Sequence, residues 1–213
     1  MAPRRQLPMF PLSVVLFPTG LLPLRVFEPR YRAMTTDCLA GDREFGVVLI
    51  ERGSEVGGGD QRTDVGTVAR IERATQFPDG RWALLARGTV RLRVARWLAD
   101  DPYPRAEVEV VPDPPGDPVR TTQAVARAEA SVRRVRALLS ELRDTPPLPS
   151  DPPPGTDALG RSWWLCAEAP LAALDRQRLL CTDDPLERMT LLGELADGLA
   201  GDLSHLLAGE PGG

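Results

Sequence analysis

Glu28, Arg30 and Arg32 stand at alternate positions in the run VFEPRYR and bring one carboxylate and two guanidinium groups into a single turn of chain. Two chemistries suit that set. Arg forks can clamp a carboxylate or phosphate ligand through paired N–H donors, or they can brace a strand against a helix from inside. The brace is the favoured reading, because ion pairs drawn into a fold are more often structural than functional. Other reactive side chains are few. His205 is the one histidine and lies near the end of a predicted C-terminal helix, where the helix dipole favours it without any catalytic partner. Cys38, Cys166 and Cys181 form no CxxC pair and are odd in number, so they read as reduced, mostly buried thiols and not as a zinc site or disulfide framework. Asp100 and Asp101 precede a Pro-Tyr turn and read as solvated loop residues, not as the acid pair of a hydrolase.

All 26 basic residues are arginine, and the absence of lysine excludes whole classes of chemistry. A Walker A loop needs a lysine on the phosphates, a Ser-Lys protease needs one as base, and a Schiff base needs one as nucleophile. Gly57 to Gly59 imitate a phosphate cradle but lack the following lysine and hydroxyl residue, so the stretch SEVGGGDQRTD reads as a flexible connection between strands. No cofactor or metal is expected.

With 213 residues, 42% hydrophobic and 26% charged, the chain can bury the core of one large domain or of two small ones. The net charge of −4 divides unevenly: 16 Arg face 14 acids before Pro112, and 10 Arg face 16 acids after it. Neither half carries the basic stripe of a nucleic-acid binder. Arg4 and Arg5 before an apolar stretch imitate a twin-arginine export signal, but four prolines interrupt that stretch and no small-residue cleavage site follows. No segment reaches the ~18 apolar residues of a membrane span. A cytoplasmic protein is expected.

These residues must be positioned by short elements. Pro8, Pro11, Pro18 and Pro23 cannot donate to a sheet ladder, and the spacing predicts two brief strands near Val14 to Phe17 and Leu21 to Phe27. Glu28 then caps a helix of about residues 29–40 that opens on Pro29 and sets Tyr31, Met34 and Cys38 on one face. A period of two follows, with strands at Phe45 to Ile50, Val65 to Phe77, Trp82 to Arg87 and Ala106 to Val111. Pro78, Asp79 and Gly80 form a hairpin turn. Gly88 interrupts the run before TVRLRVARW, where Val90, Leu92 and Val94 face one side and Arg91, Arg93 and Trp97 the other.

Composition changes at Pro112, so the chain divides into 1–112, a β-rich subdomain with one helix, and 113–213, a helical subdomain. There, Asp117 and Pro118 open a long helix with Val125, Ala128, Val132, Val135, Leu139 and Leu142 in a stripe. A Pro-rich loop at 145–155 is predicted to be an exposed, stiff spacer. Two short helices follow, around Ser162 to Glu168 and Pro170 to Cys181, and Asp183 or Asp184 caps a final one. Its stripe of Met189, Leu192, Ala196, Leu199, Leu203 and Leu206 is expected to pack on the first in an intrachain bundle, in preference to a coiled coil between subunits.

The ordered series LPMFPLSVVLFPTGLLPLRVFEPRYRAM (Leu7 to Met34), FGVVLI, VGTVARI, PDGRWALLARGTVRLRV and DPYPRAEVE resembles the substrate-binding domain found at the N-terminus of Lon-type ATP-dependent proteases. LAALDRQRLLCTDDPLERMTLL resembles its helical portion, so the likeness spans nearly the whole chain. It implies an α+β fold, a PUA-like β pseudo-barrel followed by an α-helical bundle. It also implies a stand-alone module without the ATPase and protease domains, and no peptidase activity is expected.

The function this resemblance implies is noncatalytic recognition of polypeptide, such as exposed apolar segments of unfolded or damaged proteins, in a groove between barrel and helices. Leu21, Leu22, Trp82, Trp97 and Tyr103 are the candidate peptide-binding residues, because aromatic and apolar side chains carry contact area at low entropic cost. Glu28, Arg30 and Tyr31 are assigned to structure. Expected partners are polypeptide substrates or a protein such as a protease or chaperone, with homo-oligomerisation open. Two rivals remain: a scaffold acting through its helices, and a PUA-like RNA binder, which the near-neutral charge of the β half disfavours.

Overall fold

The longest strand dictates the architecture. A computed structural model describes residues 4–52, 61–114, 117–142, 149, 152 and 156–209. Within these, strands β1 (Arg4–Leu12), β2 (Leu21–Val26), β3 (Glu44–Arg52), β4 (Gln61–Gln76), β5 (Trp82–Leu98) and β6 (Arg105–Val111) form one sheet. β5 pairs with β4 along one edge, and its other edge is shared between β2, opposite Trp82 to Arg87, and β6, opposite Arg91 to Leu98. Since β4 pairs β3, β3 pairs β1 in parallel, and β1 pairs β6, five strands close into a ring. β2 is the terminal strand, attached to β5 alone. This is an α+β fold with the pseudo-barrel that the resemblance implied.

Chain contacts divide the molecule into two units, Met1–Pro112 and Asp113–Gly213. In the first, helix α1 (Pro29–Ala40) buries Tyr31, Met34, Thr35 and Cys38. Pro29 occupies its first turn, where a missing N–H costs nothing. The Glu28 side chain makes no cap bond and turns instead to Arg30. Tyr31 stacks on Phe10 with centroids 4.1 Å apart and 9° between planes, an arrangement worth ~1 kcal/mol beyond its buried area. Around this stack lies one core cluster with Leu12, Phe45, Ile71 and Leu84, and Met9, Val68, Leu92 and Val108 anchor a second.

Val14 to Phe17 is not a strand. β1 runs through Pro8 and Pro11 to Leu12, and the chain then bends through residues 13–20. Val15, Leu16 and Phe17 are buried, so the segment has a strand's composition without a strand's ladder. Specific bonds hold it: Thr67 Oγ1 donates to the Leu16 carbonyl (2.6 Å), Thr19 N–H to the Gly88 carbonyl (2.8 Å), and Gly88 N–H to the Gly20 carbonyl (2.9 Å). A Cβ on residue 88 would collide with the Phe17 carbonyl, which is why a glycine interrupts β5 where β2 hands over to β6. The β4–β5 turn also needs a glycine, since Gly80 has φ of +80°. Arg91 lies on the face opposite Leu92, yet it is fully buried there.

The second unit contains α2 (Pro118–Leu142), α3 (Ala158–Glu168), α4 (Ala173–Cys181) and α5 (Pro185–Leu207). Asp117 caps α2 through Val119 and Arg120 N–H groups, and Asp184 caps α5 through Leu186 and Glu187. Val125, Ala128, Val132 and Val135 of α2 and Met189, Leu192 and Ala196 of α5 are buried. Beyond them the α5 stripe drifts, with Ala200 buried and Leu206 exposed, because a helix turns 3.6 residues and not 3.5. Most of the Pro-rich loop at 145–155, and Gly57 to Gly59, lie outside the described residues. No helix of the described residues is long and apolar enough to cross a membrane.

A buried cation ties this unit together. Arg188 is fully buried and donates through Nη1 to Asp113 Oδ1 and the Thr182 carbonyl, both at 3.1 Å, and through Nη2 to Ser162 Oγ (3.3 Å). Its Cζ lies 3.5 Å from the Trp163 ring centroid, while Trp163 Nε1 donates to Asp113 Oδ2 (2.9 Å). Arg176 Nη1 lies 3.0 to 3.4 Å from the carbonyls of Cys166, Ala167 and Ala169, closing the C-terminal end of α3.

Two outcomes follow from these contacts. Arg188→Met is expected to lower stability by about 3–5 kcal/mol in urea unfolding, because it strands the Asp113 carboxylate; a smaller combined loss in Arg188→Met/Asp113→Leu than the sum of the single losses would show the coupling. The second concerns alkaline pH. Burial pushes the Cys38 and Cys166 thiols up from 9 to about 12, and burial together with the bond to Asp37 pushes the Tyr103 phenol up from 10 to about 12. Between those values the folded chain keeps protons that the unfolded chain has released, so stability is full below about pH 9 and is lost as pH rises through about 12. Tyr103→Phe should cost about 1 kcal/mol at neutral pH and make the alkaline decline shallower; an unchanged decline would show that Tyr103 does not contribute.

Candidate functional site

Leu21 and Phe27, at the two ends of β2, are among the large apolar side chains exposed in the first unit, with Val14 and Phe77. Alternation along the strand buries Leu22 and Val26 and leaves Leu21, Pro23 and Arg25 exposed. Leu21 is 53% exposed and Phe27, just past the strand, 58%. Between β2, the end of β1 and the start of α1 lies a cleft of about 190 Å³, lined by Phe10 and Leu12, by Pro23 to Glu28, and by Tyr31. Its floor is the edge of the main core cluster.

Charge is arranged at the mouth of this cleft. Arg30 Nε donates to Glu28 Oε2 at 3.1 Å, and its Cζ lies 4.6 Å from the Tyr31 ring centroid. The Arg32 guanidinium lies against Gly80 at the β4–β5 turn, and Asp79 in that turn is held below the usual carboxylate range, first by the Arg81 backbone N–H. Glu28, Arg30 and Tyr31 thus contact one another beside the cleft. Arg25 is exposed and has no ion pair among the described residues.

The other candidates do not converge on this place. Leu22 is on the same strand as Leu21 but points into the core. Trp82 opens β5 opposite Val26 and is packed, half-buried, on the main cluster. Trp97 sits near the far end of β5, packed on the second cluster with the Arg62 guanidinium 4.5 Å from its ring centroid. Tyr103 is buried ahead of β6, where its hydroxyl donates to Asp37 Oδ2 (2.8 Å) and fixes α1. Sequence reasoning missed Phe10, Leu12 and Phe27. The available signal was the alternation of LLPLRVF, which places Phe27 on the face of Leu21 and Arg25.

No catalytic constellation accompanies the cleft. Glu28 is its one carboxylate, and its lining includes no His, Cys or Ser. Among the described residues no three His, Cys, Asp or Glu side chains are grouped to hold a metal. Cys38 and Cys166 are buried, their thiols held protonated, and Cys181 is exposed. His205 lies in the last turn of α5 and is exposed. In the second unit, a groove of about 170 Å³ between α2 and α3 is lined by Val125, Ala126, Glu129 and Arg161. Burial alone would raise the Glu129 carboxyl, but hydrogen bonds from Arg161 and Arg133 hold it below its ordinary value, so that groove is rimmed by a closed ion cluster.

Comparison with known proteins gives a single answer. A family model described as the ATP-dependent protease La (LON) substrate-binding domain matches residues 6–197. The Lon protease of Cytophaga hutchinsonii is 28% identical over 90% of this chain, and Lon protease 2 of Herpetosiphon aurantiacus is 36% identical over 50% of it. The chain spans 24% and 13% of the length of those two relatives. Among solved structures, a Lon N-terminal domain protein from Xanthomonas campestris superposes with a TM-score of 0.61 and 30% identity, covering 97% of this chain and 99% of that one. The N-terminal domain of a Mycobacterium avium complex Lon protease shares the fold, with a TM-score of 0.55 at 20% identity. On a match that runs through both the β-barrel and the helices, the chain belongs to the LON substrate-binding domain family.

Proposed function

We propose that this chain is a noncatalytic module that recognises polypeptide, binding apolar segments of unfolded or damaged proteins at the cleft beside β2. Membership of a substrate-binding family supports recognition as the task. The observation that carries the location is Phe27, more than half exposed and lining the cleft together with Phe10, Leu12, Leu24 and Tyr31, with the exposed Leu21 at the other end of β2. A concave site lined mainly by apolar side chains suits an apolar guest. Leu21 is the contact residue among the sequence candidates; Leu22 and Tyr103 are buried, and Trp82 and Trp97 are half-buried on the two separate core clusters. A protease or chaperone is the class of partner such a module would serve.

A second reading has one observation in its favour. Leu206 and Leu207 are exposed at the end of α5, which suits assembly through the helices. RNA binding has no comparable feature in its favour.

Titrating a fluorescein-labelled unfolded polypeptide with the purified chain at physiological salt separates these readings. Saturable binding is expected, with Leu21→Ser/Phe27→Ser weakening it by about tenfold or more while the chain stays folded with only a small change in unfolding midpoint, since both side chains are more than half exposed. Trp97→Ala should leave affinity intact if the chain still folds. Uniform absence of binding, together with a stable oligomer in light scattering, would favour the scaffold instead.

A further inference from the structure

Resting on the reading that the cleft beside β2 recognises polypeptide, we propose that it does so by strand addition: an extended segment pairs with the outer edge of β2, its apolar side chains alternately entering the cleft and its other face carrying an acidic residue opposite Arg25. Backbone geometry identifies the occupant. The Gly20 carbonyl accepts from Gly88 N–H on β5, and the β2–β5 register is free of bulges from Leu21 to Val26. Peptide groups along a regular strand point alternately to opposite edges. Leu22, Leu24 and Val26 therefore direct their N–H and C=O groups to β5, and Leu21, Pro23 and Arg25 direct theirs outward. Pro23 agrees with this parity, because a residue without an N–H is tolerated where β5 asks for no donor.

The outer edge thus offers the N–H groups of Leu21 and Arg25 and the carbonyls of Leu21, Pro23 and Arg25 on a strand that no described strand covers. Such an array is satisfied by another extended backbone and poorly by a helix, whose own groups are already paired. A strand laid there would alternate its side chains between two faces. One face meets Leu24, Val26, Phe10, Leu12 and Tyr31 in the cleft, which selects apolar residues at every second position. The opposite face meets Leu21 and the exposed Arg25, whose charge has no ion pair within the described residues and suits a carboxylate. Pro23 in the middle of the edge removes one donor. It weakens indiscriminate sheet growth while leaving room for a guest held also by its side chains.

The test uses a short fluorescein-labelled peptide in which Val or Leu alternates with Thr and Glu, and two versions N-methylated at one or the other alternate set of residues. Strand addition predicts that one methylated set loses about tenfold or more in affinity while the other stays within about twofold, because only one set turns its N–H groups toward β2. Equal effects of the two sets, whether both tolerated or both lost, would overturn the proposal. Arg25→Pro removes an outward donor as Pro23 already does, and it should weaken the parent peptide by a similar factor with the unfolding midpoint retained; undiminished binding by that folded variant also overturns the strand mode. Should the parent peptide and the unfolded polypeptide both fail to bind the wild-type chain, the recognition reading fails and strand addition with it. Binding of the parent with no parity effect removes the strand mode alone.

Discussion

The hydrogen-bonding capacity of β5 is the constraint from which the first unit is built. A strand drawn into the core must satisfy the backbone groups on both its edges; β5 has 17 residues, longer than the strands that share its second edge. β2 fills the first part and β6 the second, and because β6 also pairs β1, the sheet closes on itself. Closure hides the backbone edges of five strands, as a barrel does, and leaves β2 as the terminal one. The handover falls at Gly88, where the chain from Leu16 to Gly20 approaches too closely for a side chain. Cleft and edge are consequences of the same division, since the apolar lining comes from the β1, β2 and α1 residues that meet beside the unshared strand.

The second unit solves a different problem, the placement of a cation with no exposure to water. Arg188 is stabilised by a carboxylate, a hydroxyl, a backbone carbonyl and an aromatic face, and this directional set fixes where Asp113 and Trp163 must lie. Apolar packing of α2 on α5 is less directional and tolerates drift, as the exposure of Leu206 shows. Removing one partner of such a buried pair is costly even where the intact pair adds little net stability.

Much of this was legible from residue patterns. Pro29, Asp117 and Asp184 mark helix starts through physics that operates within one turn, and α1, α2 and α5 begin where those residues stand. The Pro-Asp-Gly turn and the alternation on either side of it are equally local. Val14 to Phe17 misled for a physical reason: burial and β-branched composition are shared by strands and by connections pinned under a sheet, and the bonds that distinguish them come from Thr67 and Gly88, far along the chain. Arg91 misled similarly, since alternation predicts which face a side chain takes but not whether that face is covered. Trp82, Trp97 and Tyr103 attracted attention by type, but long-range packing buries Tyr103 and half-buries the two tryptophans on separate core clusters.

By itself the sequence determined which lysine-dependent motifs these 213 residues cannot form and which family they belong to. Without lysine there is no Walker A loop and no Ser-Lys dyad, and the ordered motifs from Leu7 to Leu192 carry the family likeness. Tertiary structure alone decided which apolar residues are exposed. Leu21 and Leu22 are chemically identical neighbours, and the pleat of a strand paired on one side sends one to the core and the other to water. It decided too that β2 ends the sheet, because strand order depends on long-range pairing between residues distant in sequence, which no local pattern encodes.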